Sequence, residues 1–185
     1  MGTQHKDAPM FATYLSRSLL FTSLALTAQQ SLAHATLEQT KAEAGSYYKA
    51  VIRVPHGCEG QATEQVIVTL PTSFQGAKPM PKAGWQLSSQ RGPVPAYESH
   101  GKTVSEDVIS LSWQGGSLPD DWYDEFVFRS KIAANAEGTL WLTVKQICAN
   151  GEVSWDEIPA EGQDPHSLKR PALGLQIIPA AHHQH

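Results

Sequence analysis

"GTLWLTVKQICANGEVSW", residues 138–155, decides the fold. In its first part Leu140, Leu142 and Val144 fall on one face, with other residues between them. That is the period of a strand, not of a helix. The run ends at Cys148, the turn "ANG" follows, and "EVSW" (152–155) resumes. Asn150-Gly151 between two such runs is a strong hairpin signal.

The same pattern extends in both directions. "DEFVFRSKI" (124–132) sets Phe126 and Phe128 against Glu125, Val127 and Arg129. "DVISLSWQ" (107–114) alternates as well. "SYYKAVIRVP" (46–55) and "EQVIVTLP" (64–71) are rich in β-branched or aromatic residues and end at prolines. "GWQLSSQ" (84–90) is weaker, and "ALGLQIIP" (172–179) is the last run. Short alternating runs between Gly, Pro, Asn and Asp predict an all-β chain. We expect a two-sheet antiparallel β-sandwich of roughly seven to nine strands. The Pro-rich pieces "AKPMPKAGW" (77–85) and "RGPVPAYESHG" (91–101) read as ordered loops at its ends.

Residues 1–33 read as a signal peptide. Lys6 and Arg17 are its cations, "SLLFTSLALTA" (18–28) its apolar run, and Ser31 and Ala33 stand at −3 and −1 of a cleavage site. The apolar run is shorter than the roughly 20 residues that span a bilayer. Domain boundaries follow: leader 1–33, sandwich domain 34–179, and a His-rich tail 180–185 read as disordered. The mature chain has no transmembrane stretch, and the expected location is the periplasm or another exported compartment. Net charge is −4 for the whole chain. No basic block stands out, which argues against a nucleic-acid partner. Cys58 and Cys148 are the two cysteines, and an even pair in an exported chain most often forms a disulfide.

Cleavage after Ala33 makes His34 the first residue. An α-amine ionises near pH ~7.7–8 and an imidazole near ~6.5, so both can give up a proton to a metal near neutrality. The amine and Nδ1 of one residue then close a six-membered chelate. Such a nitrogen pair suits Cu(II), which takes tetragonal N,O ligands and leads the divalent affinity order. An internal histidine has an amide in place of the amine and forms no such chelate.

The segments "AHATLEQTKAEAGSYYKAVIRVPHGCEG", "KPMPKAGW", "LPDDWYDEFVFRSKI" and "QICANGEVSWDEIPAEGQ" occur in that order across the mature chain. In these it resembles the YcnI-like family, also catalogued as DUF1775. The resemblance implies an immunoglobulin- or cupredoxin-like sandwich and an exported copper carrier or chaperone that is not an enzyme. It implies a mono-histidine brace, with His34 as amine and ring donor and Trp155 close beside the ion. An assisting carboxylate falls on Glu125 first, then Glu38, then Glu157. Implied partners are the copper ion and, through the family, other copper carriers or copper-transporting membrane proteins. The alternatives are a copper-dependent redox enzyme and a sandwich that binds no metal and serves interaction. His56, His100 and His166 read as loop residues, and no spacing singles one out as a second ligand. The tail histidines His182, His183 and His185 could take up metal loosely.

Overall fold

The computed structural model describes residues 1–3 and 34–180. The signal-peptide reading rests on residues of which 4–33 lie outside that range, and the tail histidines lie outside it too. The chain divides into two units, Met1–Ser31 and Leu32–His185, and the described strands all belong to the second.

Two sheets face each other. The smaller contains β1 (Thr36–Leu37), β3 (Tyr47–Val54), β8 (Asp124–Ile132) and β5 (Phe74–Pro79), in that spatial order. The larger runs β2 (Lys41–Glu43), β11 (Leu173–Ile178), β9 (Thr139–Cys148), β4 (Thr63–Thr69), β7 (Lys102–Leu118), β6 (Gln86–Ser99). Strand β10 (Gly151–Trp155) pairs with Val144–Cys148 of β9, and β11 pairs with Thr139–Leu142 of the same strand. β10 and β11 therefore succeed one another along one side of β9, while β4 holds the other.

Alternation explains the core. From the smaller sheet, Ile52, Phe126 and Phe128 point inward and are buried; from the larger, Val66, Leu111, Trp113, Leu142 and Leu175 meet them. Burying each such side chain stabilises the fold by about 1.5–3 kcal/mol relative to leaving it in water. The Trp113 Nε1–H donates to the Met80 carbonyl at 3.0 Å, so its one polar atom is satisfied. Trp85 packs edge-on against Phe126, with centroids 5.0 Å apart. Gly116 lies directly beneath that indole, where an added Cβ would come within 2.1 Å of the ring.

The all-β sandwich follows the alternation, with three corrections. The sheets are mixed, because β2 and β11 run parallel. The chain leaves the smaller sheet after β1 and crosses at once to the larger, so β2 arrives in the same direction as the last strand. The short β1 and β2 were not expected from sequence; two or three residues cannot display a period. The segment 91–101 is no end loop: β6 continues to Ser99 and turns at His100-Gly101, whose φ values of 49° and 73° make a type I′ hairpin. Pro93 and Pro95 are tolerated because β6 is an edge strand and its register with β7 shifts there. In the same way β5 takes in the first part of 77–85, through Pro79. The β9–β10 hairpin forms with Gly151 opposite Cys148, which leaves Ala149-Asn150 as the connecting pair.

Candidate metal centre

Strand β1 sets the position of His34. Its Thr36 and Leu37 pair with Arg53 and Ile52 of β3. Ala35 and Leu37 face inward and are buried, which anchors the segment. His34, just before it, is half-buried in the wall of a cavity of about 390 Å3. Trp141, His166, Pro171, Ala172 and Gly174 also line that cavity. Its described lining includes no carboxylate.

Trp155 closes β10 and is 3% exposed. Its ring meets the His34 ring edge-on, with centroids 5.6 Å apart at 61°. On a second edge it meets His56 at 6.2 Å and 71°. The indole is held in place by a buried amide. Trp155 Nε1–H donates to Gln146 Oε1 at 2.6 Å, and Gln146 Nε2 donates to the His56 carbonyl at 2.8 Å and to Thr63 Oγ1 at 3.0 Å. Gln146 has no exposed surface. The Cys58–Cys148 disulfide lies beside this network and joins residues 90 apart in sequence. Between β3 and β4, Cys58 and Gln61 exchange two backbone hydrogen bonds around the turn Glu59-Gly60. The His56 segment is thus fixed to the end of β9.

His34 Nε2 is buried and has no hydrogen-bond partner. Leaving a buried polar atom unpaired costs roughly 1–3 kcal/mol, and such atoms in a folded protein call for an explanation. A chelate through Nδ1 would leave the proton on Nε2 and so fix the tautomer, without giving this atom a partner. In the intact chain His34 carries an amide in place of the amine, so only its ring could serve as a ligand. Among the described residues no three His, Cys, Asp or Glu side chains converge as a ligand cluster.

The structure brings His34 and Trp155 together. The three glutamates stand apart from this pair in different ways. Glu38 and Glu125 share one partner, each carboxylate lying 3.4 Å from the Arg53 guanidinium. Glu157 accepts the Arg170 backbone N–H at 2.8 Å. Its backbone bridges to Pro171, which lines the His34 cavity, and its carbonyl accepts from Ala172 N–H. His166 and His56 were read as plain loop residues. His166 is exposed, in a short 3-10 turn (Pro165–Ser167) capped by Asp164, yet it reaches the His34 cavity. No spacing rule could have found either residue, because both approach through loops from distant parts of the chain. His100 sits at the tip of the β6–β7 hairpin, away from this cavity.

Residues 34–177 match the family model of DUF1775, a domain of unknown function. The chain belongs to the DUF1775 family. The match begins at His34 and runs into the last strand of the sandwich. This DUF1775 chain is 27% identical to an uncharacterized protein from Nocardia farcinica whose crystal structure has an immunoglobulin-like fold. The two align over 80% of this chain and 99% of that one, at a TM-score of 0.59, so the immunoglobulin-like sandwich is shared. Two cohesins also align, each with 12% identity and a TM-score of 0.38. One is the seventh ScaB type I cohesin of Pseudobacteroides cellulosolvens, covering 82% of this chain and 96% of its own. The other is a non-cellulosomal cohesin from the archaeon Archaeoglobus fulgidus, covering 82% and 98%. No curated protein matches the chain.

Proposed function

We propose that this DUF1775 domain is an exported copper carrier that takes its ion at His34 once the leader is removed. One observation carries the reading: His34, half-buried and edge-on against Trp155, is the residue that cleavage after Ala33 would make N-terminal. The α-amine then adds the donor that the surrounding side chains lack. Copper is the cargo. The chain's part is to present amine and Nδ1 in one chelate, to wall the site with an indole, and to limit water. The hydrophobic bulk of Trp155 beside the ring restricts solvent access and so bears on redox behaviour. The periplasm or another exported compartment suits the Cys58–Cys148 disulfide. Other copper carriers or copper-transporting membrane proteins are the expected partners.

Of the three carboxylates, Glu157 is now the favoured third donor. It follows Trp155 by two residues and is bridged to a wall residue of the cavity. Glu38 lies four residues further along an extended segment, about 13 Å at strand rise, and shares Arg53 with Glu125.

The test is N-terminal sequencing of the exported protein, followed by copper titration. A chain that starts at His34 is expected to bind one equivalent, and to lose that binding when one alanine is placed before His34. A different terminus, or equal uptake with the amine blocked, overturns the reading. His166 on the same cavity is the one observation that favours a redox enzyme with two imidazoles. Copper-dependent turnover with oxygen or peroxide, abolished in His166→Ala, would favour that enzyme over the carrier.

A further inference from the structure

The outer half of the β6–β7 hairpin folds over the edge of the smaller sheet and roofs a second cavity, of about 470 Å3. Lys78, Arg129, Lys131, Tyr47, Tyr97 and His100 line it. The roof is pinned by Asp107, a residue of β7 only 4% exposed. Its carboxylate accepts from Gly76 N–H of β5 at 2.7 Å, from the Tyr97 hydroxyl at 2.6 Å and from Val108 N–H at 2.7 Å. Gly76 has a φ of 60° and lies where β5 shifts register against β8, so the local backbone is shaped to make this contact. One wall of the cavity is thus fixed by hydrogen bonds to a buried carboxylate.

Its charge runs against that of the chain. Net charge is −4, yet three cations and one carboxylate, Glu98, line this cavity. The sheet register sharpens the point: Lys49 of β3 and Lys78 of β5 both stand opposite Arg129 of β8. Like charges directly opposite one another destabilise a sheet. Among the described residues none of Lys49, Lys78, Arg129 or Lys131 forms an ion pair. Arg129 is partly relieved by stacking on Tyr47, with its guanidinium 3.9 Å from the ring centroid. Lys78, Arg129 and Lys131, unpaired cations exposed on a cavity with an aromatic wall, are suited to a bound anion.

We propose that this cavity binds a small polyvalent anion bearing carboxylate or phosphate groups, with Arg129 and Lys131 as its principal contacts. The site involves neither His34 nor copper, so it stands whether or not the metal reading does. Isothermal titration of the purified protein with citrate and with inorganic pyrophosphate, at low and at raised sodium chloride, tests it. The expected result is saturable one-to-one binding of at least one probe, weakened by salt. The double variant R129Q/K131Q should weaken it about tenfold or more, since two charge-assisted contacts are lost. K41Q removes the same kind of charge from β2, away from the cavity, and should leave binding unchanged. If the double variant misfolds by circular dichroism, the single variants K78Q and K131Q supply the same reading. Absence of saturable binding by both probes, or an equal loss in K41Q, overturns the proposal and leaves only diffuse attraction.

Discussion

Gln146 is the side chain that holds the Trp155 indole in place. Its amide accepts from the indole and donates to the His56 carbonyl, and the side chain has no exposed surface. Gln146→Leu should lower stability by about 2–4 kcal/mol, since each buried group left unpaired costs roughly 1–3. Urea unfolding reads this directly, and a shift below about 0.5 kcal/mol, the usual size of a surface effect, would show that the network repacks. Two tyrosines make stability fall in alkali. Burial, then the charge of Glu38, pushes Tyr48 up to about 12. Burial, then its hydrogen bond to Asp107 and that residue's charge, pushes Tyr97 up to about 12. Unfolded tyrosine ionises near pH ~10. The stabilisation from these two is therefore complete below about pH 10 and is lost as pH climbs toward about 12. Urea midpoints across that window should decline, and Tyr97→Phe should decline less steeply. Asp107 behaves in the opposite sense. Burial alone would raise it, but the bonds from Gly76, Tyr97 and Val108 and the nearby Arg91 hold it below the usual carboxylate range. Its contribution is present above about pH 4 and is lost as pH falls through its lowered folded value. Little of this was legible in sequence: Gln146 reads as an ordinary strand glutamine until the fold places an indole and a carbonyl at its two ends.

At the scale of elements, the disulfide and the 56–61 loop form one brace. Reduction of Cys58–Cys148 should lower stability by about 2–5 kcal/mol, because a long loop in the unfolded chain is released. The urea midpoint with and without reductant measures it, and an unchanged midpoint would mean that backbone contacts alone hold the loop. Within the loop, a Cβ on Gly57 would meet the Gln61 carbonyl at 1.8 Å. Gly57→Ala should therefore destabilise by about 1–3 kcal/mol, as overpacked positions do, and thermal unfolding would detect it. The strands that read clearly are those buried on one face, such as β8 with Phe126 and Phe128. The strand that was misread is β6, whose outer half is largely exposed and carries two prolines. Its pairing is dictated by β7 opposite and by the Asp107 contacts, not by its own composition.

The described strands begin at Thr36 and end at Ile178, so a chain starting at His34 retains every one of them. Expressed alone, residues 34–185 should give an all-β circular dichroism spectrum and unfold cooperatively; a non-cooperative transition would mean that the leader is needed for folding. By itself the sequence determined the fold class, the positions of most long strands and the cysteine pair. It could do so because alternation, turn residues and family motifs are local, and local patterns survive being read in one dimension. Only the tertiary structure decided which strands became neighbours, the parallel pairing of β2 with β11, and the placing of His166 on the His34 cavity. It alone assembled the row of cations across three strands. Those facts depend on contacts between residues far apart in the chain, and such contacts exist only once burial of the two apolar faces has set the sheets against each other.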